Sequence, residues 1–196
     1  MGGEPLLHPQ IKDFLIECRK IFPLTSISLV TNGILLLNND ELIKVINQNR
    51  IQVDISDYGI IQDIHKKLYN IKGLHIYSRA KMFNPSLDLE GKQNKEDSFY
   101  QCRARRMGCN FFQNGKLYAC ATGVYIDIFN KYFNKNLPEI EGISIYKKEN
   151  TPEIILNHIY NKPQELCKYC NVRKAEQSWH EFQRSNKDIS EWIDKG

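Results

Sequence analysis

The stretch TSISLVTNG, residues 25–33, is the part of the sequence that decides the fold. Its β-branched and aliphatic residues run into a polar Thr-Asn-Gly ending, which is typical of a strand that stops at a turn. Apolar residues at helical spacing flank it on both sides, within residues 6–22 and again from residue 42, where Asn39 or Asp40 could cap the helix. The stretch therefore predicts one strand of an α/β protein.

The same alternation continues to about residue 80. Residues 51–56 predict a second strand, residues 58–71 a helix, and residues 74–78 a third strand. Strands that alternate with helices form parallel sheets with helical crossovers. The series opens on a loop and a helix, so we expect that a first strand leading into Gly2-Gly3 is missing from the sheet.

A change of composition separates this region from the rest of the chain. Residues 84–100 are polar, and we interpret them as a linker between a first domain at 1–83 and a second at 101–196. In the second domain, Asn114-Gly115 lies between two apolar arms and predicts a β-hairpin. A helix is expected from Pro152 to Tyr160.

Four of the six cysteines lie in two distant segments of the second domain. Twelve residues separate Cys102 from Gly115, four more precede Cys120, and Cys167-x-x-Cys170 follows much later. Such a set indicates a metal or iron–sulfur site. Structural zinc is the alternative, although ribbon-type zinc sites use cysteine pairs only two to four residues apart.

Two other cysteines need separate interpretations. Cys109 could replace Cys102 as a ligand, because the hairpin would also bring it near Cys120. We prefer Cys102, since only five residues lie between Cys109 and Gly115. Cys18 lies on the apolar face of the first helix and is interpreted as a core residue.

The opening Gly2-Gly3-Glu4-Pro5 has the chemistry of a ligand-binding turn. Glycines let the backbone approach a ligand closely, and the glutamate offers charge-assisted hydrogen bonds to a group such as an ammonium. A plain Gly-Gly turn is the alternative for the motif taken alone.

In these residues the first domain resembles the radical S-adenosylmethionine enzymes, whose partial (β/α) barrel carries a Gly-Gly-Glu-Pro motif after its second strand. Residues 29–33 resemble the family's third strand and residues 53–56 its fourth. The resemblance implies an N-terminally truncated partial (β/α) barrel. It also implies that S-adenosylmethionine contacts Gly2, Gly3, Glu4, Pro5, Asn32, Asp54 and Ser56. For Asp54 and Ser56, exposure to solvent at a strand end is the alternative.

The second domain resembles the auxiliary-cluster module called twitch, a shortened SPASM domain, and is expected to be a small cysteine-rich hairpin and helix module. The resemblance implies one auxiliary [4Fe–4S] cluster on Cys102, Cys120, Cys167 and Cys170. A full SPASM domain has a further cysteine where this chain has Glu176.

The chain departs from the family in one respect: it contains no Cys-x-x-x-Cys-x-x-Cys segment. In the family that segment holds the cluster that cleaves S-adenosylmethionine. We therefore expect the larger part of such an enzyme, inactive by itself, which when intact would oxidise or epimerise a carbohydrate-like or peptide substrate with a reductant protein as partner. The alternative is a non-catalytic accessory or remnant protein that binds iron–sulfur or zinc.

Composition and charge limit the other classes of protein to which the chain could belong. The net charge of +4 is too small and too scattered to indicate nucleic acid, and the run from Arg103 to Arg106 is interpreted as a solvated loop, or else as balance for an anionic cluster. No apolar run approaches the length of a membrane span, and no signal peptide is present. Six cysteines without such a signal indicate thiols in a reducing, cytoplasmic environment.

Overall fold

A computed structural model describes residues 3–77, 82–83, 86–173, 180–181 and 186–193 of the chain. The chain divides into two compact units. The first unit comprises Gly2–Phe83 and His180–Phe182. The second unit comprises Asn84–Trp179 and Gln183–Gly196, with Met1.

Helices and strands alternate in the first unit and are mixed in the second. The helices of the described residues are α1 (Ile11–Ile21), α2 (Asp40–Gln48), α3 (Ile64–Lys67), α4 (Lys95–Gln101), α5 (Arg103–Arg106), α6 (Ala121–Phe133) and α7 (Pro152–Tyr160). The strands are β1 (Ser28–Thr31), β2 (Gln52–Ser56), β3 (Leu74–Tyr77), β4 (Met82–Phe83), β5 (Phe111–Gln113), β6 (Lys116–Tyr118), β7 (Ile143–Ser144) and β8 (His180–Glu181).

A parallel sheet in the order β1-β2-β3 is the centre of the first unit. One face of it is aliphatic: Val53 and Ile55 of β2 are fully buried, and they belong to one cluster with Leu42 and Ile46 of α2. The prediction of a parallel α/β sheet with helical crossovers is confirmed. The described strands of this unit form an open sheet and not a closed barrel.

Polar side chains fix the ends of the first two helices. Asn39 caps α2, with its Oδ1 accepting a hydrogen bond from the Leu42 backbone N–H at 3.1 Å. Arg19 of α1 donates to five backbone carbonyls, among them those of Thr25 at 2.8 Å and Asn49 at 2.8 Å. These carbonyls belong to the loop after α1 and to the end of α2, so one guanidinium joins the two helix ends.

The predicted helix at residues 58–71 is wrong in its length, because regular α-helix is confined to α3. Asp63 has a φ of 54°, in the left-handed region, and it forms the N-cap of α3 without a side-chain capping bond. Ile64 and Leu68 are nevertheless buried as the apolar periodicity requires. The pattern found the buried face and missed the turn in front of it.

The predicted hairpin is confirmed in the second unit, where β5 and β6 pair antiparallel and β7 extends the sheet. Asn114 and Gly115 have φ values of 50° and 72°, which suit a two-residue hairpin turn. A side chain at Gly115 would also collide with the ring of Tyr146. The glycine of the cysteine pattern is therefore needed for the turn and for close packing.

The stretch expected to be a linker contributes to the core of the second unit. It contains most of α4, in which Ser98 and Phe99 are 5% and 3% exposed. Asn94 caps this helix by accepting from the backbone N–H of Asp97 at 2.9 Å. The composition of this stretch is polar because only Ser98 and Phe99 of α4 are buried, so the helix has little apolar signal in the sequence.

Two short strands complete the first unit, where β4 and β8 pair antiparallel.

Within the part of the chain that the structure describes, no helix combines the length and the apolar character that crossing a membrane requires.

Candidate functional site

Four cysteines line a single cavity of about 310 Å³ in the second unit. They are Cys102, Cys120, Cys167 and Cys170, the residues that the sequence pattern selects, and their cavity is called the cysteine pocket below. The rest of the lining is mostly apolar, with Phe99, Ile140 and Leu166, but it also contains Arg103 and Arg105. The fold thus brings together thiols from the two distant segments of the chain.

Each cysteine is placed by the end of a helix or turn. Cys102 stands between α4 and α5, and its N–H donates to the Phe99 carbonyl at 3.3 Å. Cys120 is the N-cap of α6, and its Sγ accepts a hydrogen bond from the Gly123 N–H at 3.2 Å. A helix N-terminus carries partial positive charge, so this position favours a thiolate.

The remaining two cysteines belong to a 3₁₀ turn, Glu165–Tyr169, and its cap. Cys167 lies within the turn, and Cys170 follows it as the C-cap. The Ser98 hydroxyl of α4 donates to the Cys170 carbonyl at 3.0 Å, and the Gln93 N–H donates to the Lys168 carbonyl at 3.1 Å. These bonds hold the turn against α4 and so fix one side of the pocket.

The four sulfur atoms influence one another electrostatically. Burial, with smaller effects of Cys102 and the other two thiols, raises the pKa of Cys170 to about 12. Burial likewise raises the pKa of Cys120 to about 11, although the Gly123 N–H opposes the shift. Burial also raises the pKa of Cys167, with Lys95 opposing. Without a bound cation Cys120, Cys167 and Cys170 stay protonated at neutral pH, and a metal that binds them must release protons.

The two remaining cysteines lie outside this pocket. Cys109 is exposed, and its N–H donates to the Ala104 carbonyl at 2.8 Å. Cys18 is half-buried on α1 of the first unit. Cys102, and not Cys109, is the cysteine of this segment that the structure places in the cavity wall.

The four thiols around one cavity are a set of donors that could hold a metal ion or a cluster. Structural zinc sites are closed tetrahedra of four ligands, whereas this cavity falls at the lower end of the range for cofactor sites. Among the described residues, no group of three or more His, Cys, Asp or Glu side chains is already arranged around the position of one metal ion. The case for a cluster therefore rests on the cavity and its thiols, and not on a preformed coordination sphere.

A second set of predicted residues meets at the carboxyl ends of β1 and β2 in the first unit. The Glu4 Oε1 accepts hydrogen bonds from the Thr31 hydroxyl at 2.6 Å and the Leu6 N–H at 3.1 Å. Its Oε2 accepts from the Asn32 N–H at 2.9 Å. The Gly-Gly-Glu-Pro and Thr-Asn-Gly motifs are thus joined through one carboxylate.

The other predicted residues of this edge differ in their surroundings. Asp54 is 9% exposed, and its Oδ1 accepts from the Gln52 side-chain amide at 2.8 Å, so it is not a solvated strand-end residue. Ser56 is half-buried at the last position of β2. Gly3 has a φ of 81° and is exposed, and Pro5 begins the 3₁₀ turn Pro5–Leu7. Gly2 lies outside the described residues.

Sequence reasoning missed the polar groups that support both places. The sequence predicts Thr31 only as the end of a strand, yet its hydroxyl makes the shortest of the hydrogen bonds to the Glu4 carboxylate. Lys95 and Glu165 form an ion pair at 2.8 Å beside the cysteine pocket. The sequence analysis placed Lys95 in a linker and assigned no role to Glu165. Their separation of seventy residues left no local signal of this pairing.

Comparison with protein-family models gives no match for the chain, and comparison with curated proteins gives none either.

Proposed function

We propose that the cysteine pocket holds one [4Fe–4S] cluster and that the chain is the larger part of a radical S-adenosylmethionine enzyme with a twitch-type auxiliary domain. The observation that carries the proposal is the convergence of the four pattern cysteines on one cofactor-sized cavity. Four thiolates are the usual ligands of such a cluster. The proposed ligands are Cys102, Cys120, Cys167 and Cys170.

The thiols have the environment that a cluster would use. The walls of the pocket are mostly apolar, and the Gly123 N–H donates a hydrogen bond to the Cys120 sulfur. With all four positions on iron taken by this chain, the cluster would supply electron transfer at a site closed to substrate ligation. The raised pKa values of the thiols mean that loading is favoured by alkaline conditions within the range of protein stability.

The sheet edge of the first unit supports the second half of the proposal. A carboxylate can accept about four hydrogen bonds. Among the described residues, Glu4 uses two acceptor positions on Oε1 and one on Oε2, and these contacts leave one position on Oε2. We assign that position to the amino group of S-adenosylmethionine, with Asn32, Asp54 and Ser56 as further contacts from the neighbouring strand ends of a partial (β/α) barrel.

The substrate class stays broad in this proposal. A carbohydrate-like or peptide substrate would be oxidised or epimerised, a reductant protein would supply electrons, and the reducing cytoplasm would preserve the six thiols. A non-catalytic protein that binds zinc in the same pocket is the competing outcome, and the next experiment separates the two.

The test is anaerobic reconstitution of the full chain with iron and sulfide, followed by iron, sulfide and zinc analysis. We expect about four irons and four sulfides per chain, and serine variants of Cys102, Cys120, Cys167 and Cys170 should each lose most of this content. Cys109→Ser is the matched control, since it removes a thiol from the same segment, and should keep the iron. Stoichiometric zinc without iron, or equal losses in Cys109→Ser, would refute the cluster assignment.

Catalysis is tested separately by incubating the reduced, reconstituted chain with S-adenosylmethionine. The chain contains no Cys-x-x-x-Cys-x-x-Cys segment. We therefore expect binding of S-adenosylmethionine that Glu4→Gln weakens, and no release of 5′-deoxyadenosine. Detectable 5′-deoxyadenosine would contradict the expected inactivity, and unchanged binding in Glu4→Gln would contradict the role of the sheet edge.

A further inference from the structure

A four-residue ion network of Lys95, Glu96, Glu165 and Lys168 borders the cysteine pocket. The Lys95 Nζ lies 2.8 Å from the Glu165 Oε1, and the Lys168 Nζ lies 2.7 Å from the Glu165 Oε2. Lys95 begins α4, and Glu165 begins the 3₁₀ turn that carries Cys167. The Glu96 Oε1 also lies 3.9 Å from the Lys95 Nζ, so the network spans from α4 to the turn and its two lysines and two glutamates carry no net charge.

The two lysines of this network differ in their exposure. The Lys95 side chain is 27% exposed and that of Lys168 is 45% exposed, so solvent screens the charge of Lys95 less. The pKa of Lys95 is raised, chiefly by Glu165, then by Glu96, and least by Cys167. The field of Lys95 in turn opposes the upward shift of the Cys167 pKa that burial causes. Lys95 is thus electrostatically coupled to one wall of the pocket.

We propose that Lys95 sets the reduction potential of the cluster in the cysteine pocket through its positive charge, and that Glu165 partly cancels this effect. The inference rests on the proposed function and extends it to residues that are not ligands. A cluster on four thiolates is anionic, and one-electron reduction adds a further negative charge, so a fixed cation nearby favours the reduced form. A fixed anion nearby has the opposite effect.

The experiment is a potentiometric titration of the anaerobically reconstituted full chain, with dithionite as reductant, redox mediators and detection by electron paramagnetic resonance. Three variants are compared with the unaltered chain: Lys95→Gln, Lys168→Gln and Glu165→Gln. The lysine variants are matched, because each removes one positive charge and one bond to the same carboxylate.

The expected shifts differ in sign and size. In Lys95→Gln the ratio of reduced to oxidised cluster at a fixed potential should fall about tenfold, which is about 59 mV for a one-electron couple. Lys168→Gln should lower the ratio by about threefold or less, and Glu165→Gln should raise it. The effect of Lys95→Gln should shrink at high ionic strength, and Lys95→Arg should restore most of it.

Two results would overturn the inference while leaving the proposed function intact. These are an unchanged potential in an iron-loaded Lys95→Gln, and shifts of the same sign in Lys95→Gln and Glu165→Gln. Same-sign shifts would mean that the network acts only by shaping the turn. If Lys95→Gln fails to take up iron, the sign of the shift in Glu165→Gln decides, because that variant breaks both ion pairs and keeps both lysines. An unaltered chain without iron and sulfide would instead refute the proposed function.

Discussion

The two units of the chain are stabilised in different ways. Twelve buried aliphatic residues form one core in the first unit, around the parallel sheet and its helices. Among the described residues of the second unit, the corresponding hydrophobic cluster has five buried residues, and four cysteines line a cavity in the same unit. The described part of the first unit thus has the larger aliphatic cluster, and that of the second has a smaller cluster and a cavity lined by thiols.

The difference indicates what each unit needs in order to be stable. Burial of apolar area is the dominant favourable contribution to folding, so a unit with less of it depends more on other stabilising interactions. Ligand binding to the native state alone is one such interaction. If the proposed cluster binds in the second unit, we therefore expect that unit to depend on it and the first unit to be independent of it.

Removal of the cofactor should have the largest effect. Iron chelation of the reconstituted chain should lower the opening free energy of amides in α4, α6 and the Glu165–Tyr169 turn by about 3 kcal/mol or more. Amides of β2 and α2 should change little. Hydrogen exchange with mass spectrometry before and after chelation measures both, and equal loss of protection in the two units would contradict the comparison.

A cavity in the first unit should have the second largest effect. Ile46 is 0% exposed, and Ile46→Ala should cost about 2–5 kcal/mol of stability. The loss should appear in amides of α2 and β2, while the iron content of the second unit stays the same. Phe14→Ala is the control, since Phe14 is 62% exposed and should cost far less. Loss of iron together with the first-unit protection would show that the two units do not depend on separate cores.

Loss of the Arg19 guanidinium should have a smaller effect, confined to the ends of α1 and α2. Arg19→Ala leaves five carbonyls without this donor and should cost about 2 kcal/mol. Arg19→Lys should recover little, because an ammonium cannot reproduce five donors in a planar fork. Lys20→Ala, which removes a bond to exposed Glu17, is the control. Denaturant unfolding and exchange of the same amides provide the measurement.

Sequence periodicity was sufficient for much of the first unit. Alternating apolar periods predicted β1, β2 and β3, and capping preferences placed the start of α2 at Asn39 or Asp40, of which the structure uses Asn39. These features are local, because they depend on residues a few positions apart. The helix predicted at residues 58–71 was too long, since the left-handed conformation of Asp63 in front of α3 has no strong sequence signal.

The candidate sites were predictable only where their residues form a pattern. The spacing of the cysteines, with Gly115 between them, selected the four residues that line the pocket. The pairing of Glu4 with Thr31 spans twenty-seven positions and that of Lys95 with Glu165 spans seventy. Such contacts depend on how the chain returns on itself, and single-sequence reasoning has no access to that.

The smallest expected effect is a pH dependence in the part of the second unit away from the pocket. Burial lowers the pKa of His158 on α7 below its usual 6.5, although a hydrogen bond between its Nε2 and the Glu141 carbonyl, at 3.1 Å, opposes the shift. The folded state then binds fewer protons than the unfolded state near pH 6. Stability from this residue is present above pH 6.5 and is lost as the pH falls through the unfolded value.

The loss should be well under about 1 kcal/mol, because the imidazole is only partly buried. Hydrogen exchange of α7 amides in the cofactor-free chain, at several pH values from 7.5 to 5 and corrected for intrinsic rates, measures it. His158→Gln should flatten the pH dependence, and the amides of β2 should show no change on this substitution. A pKa of His158 above 6.5 by nuclear magnetic resonance would reverse the sign of the expected slope. The hydrogen bond to the Glu141 carbonyl, and not burial, would then determine the direction in which the pKa of His158 is shifted.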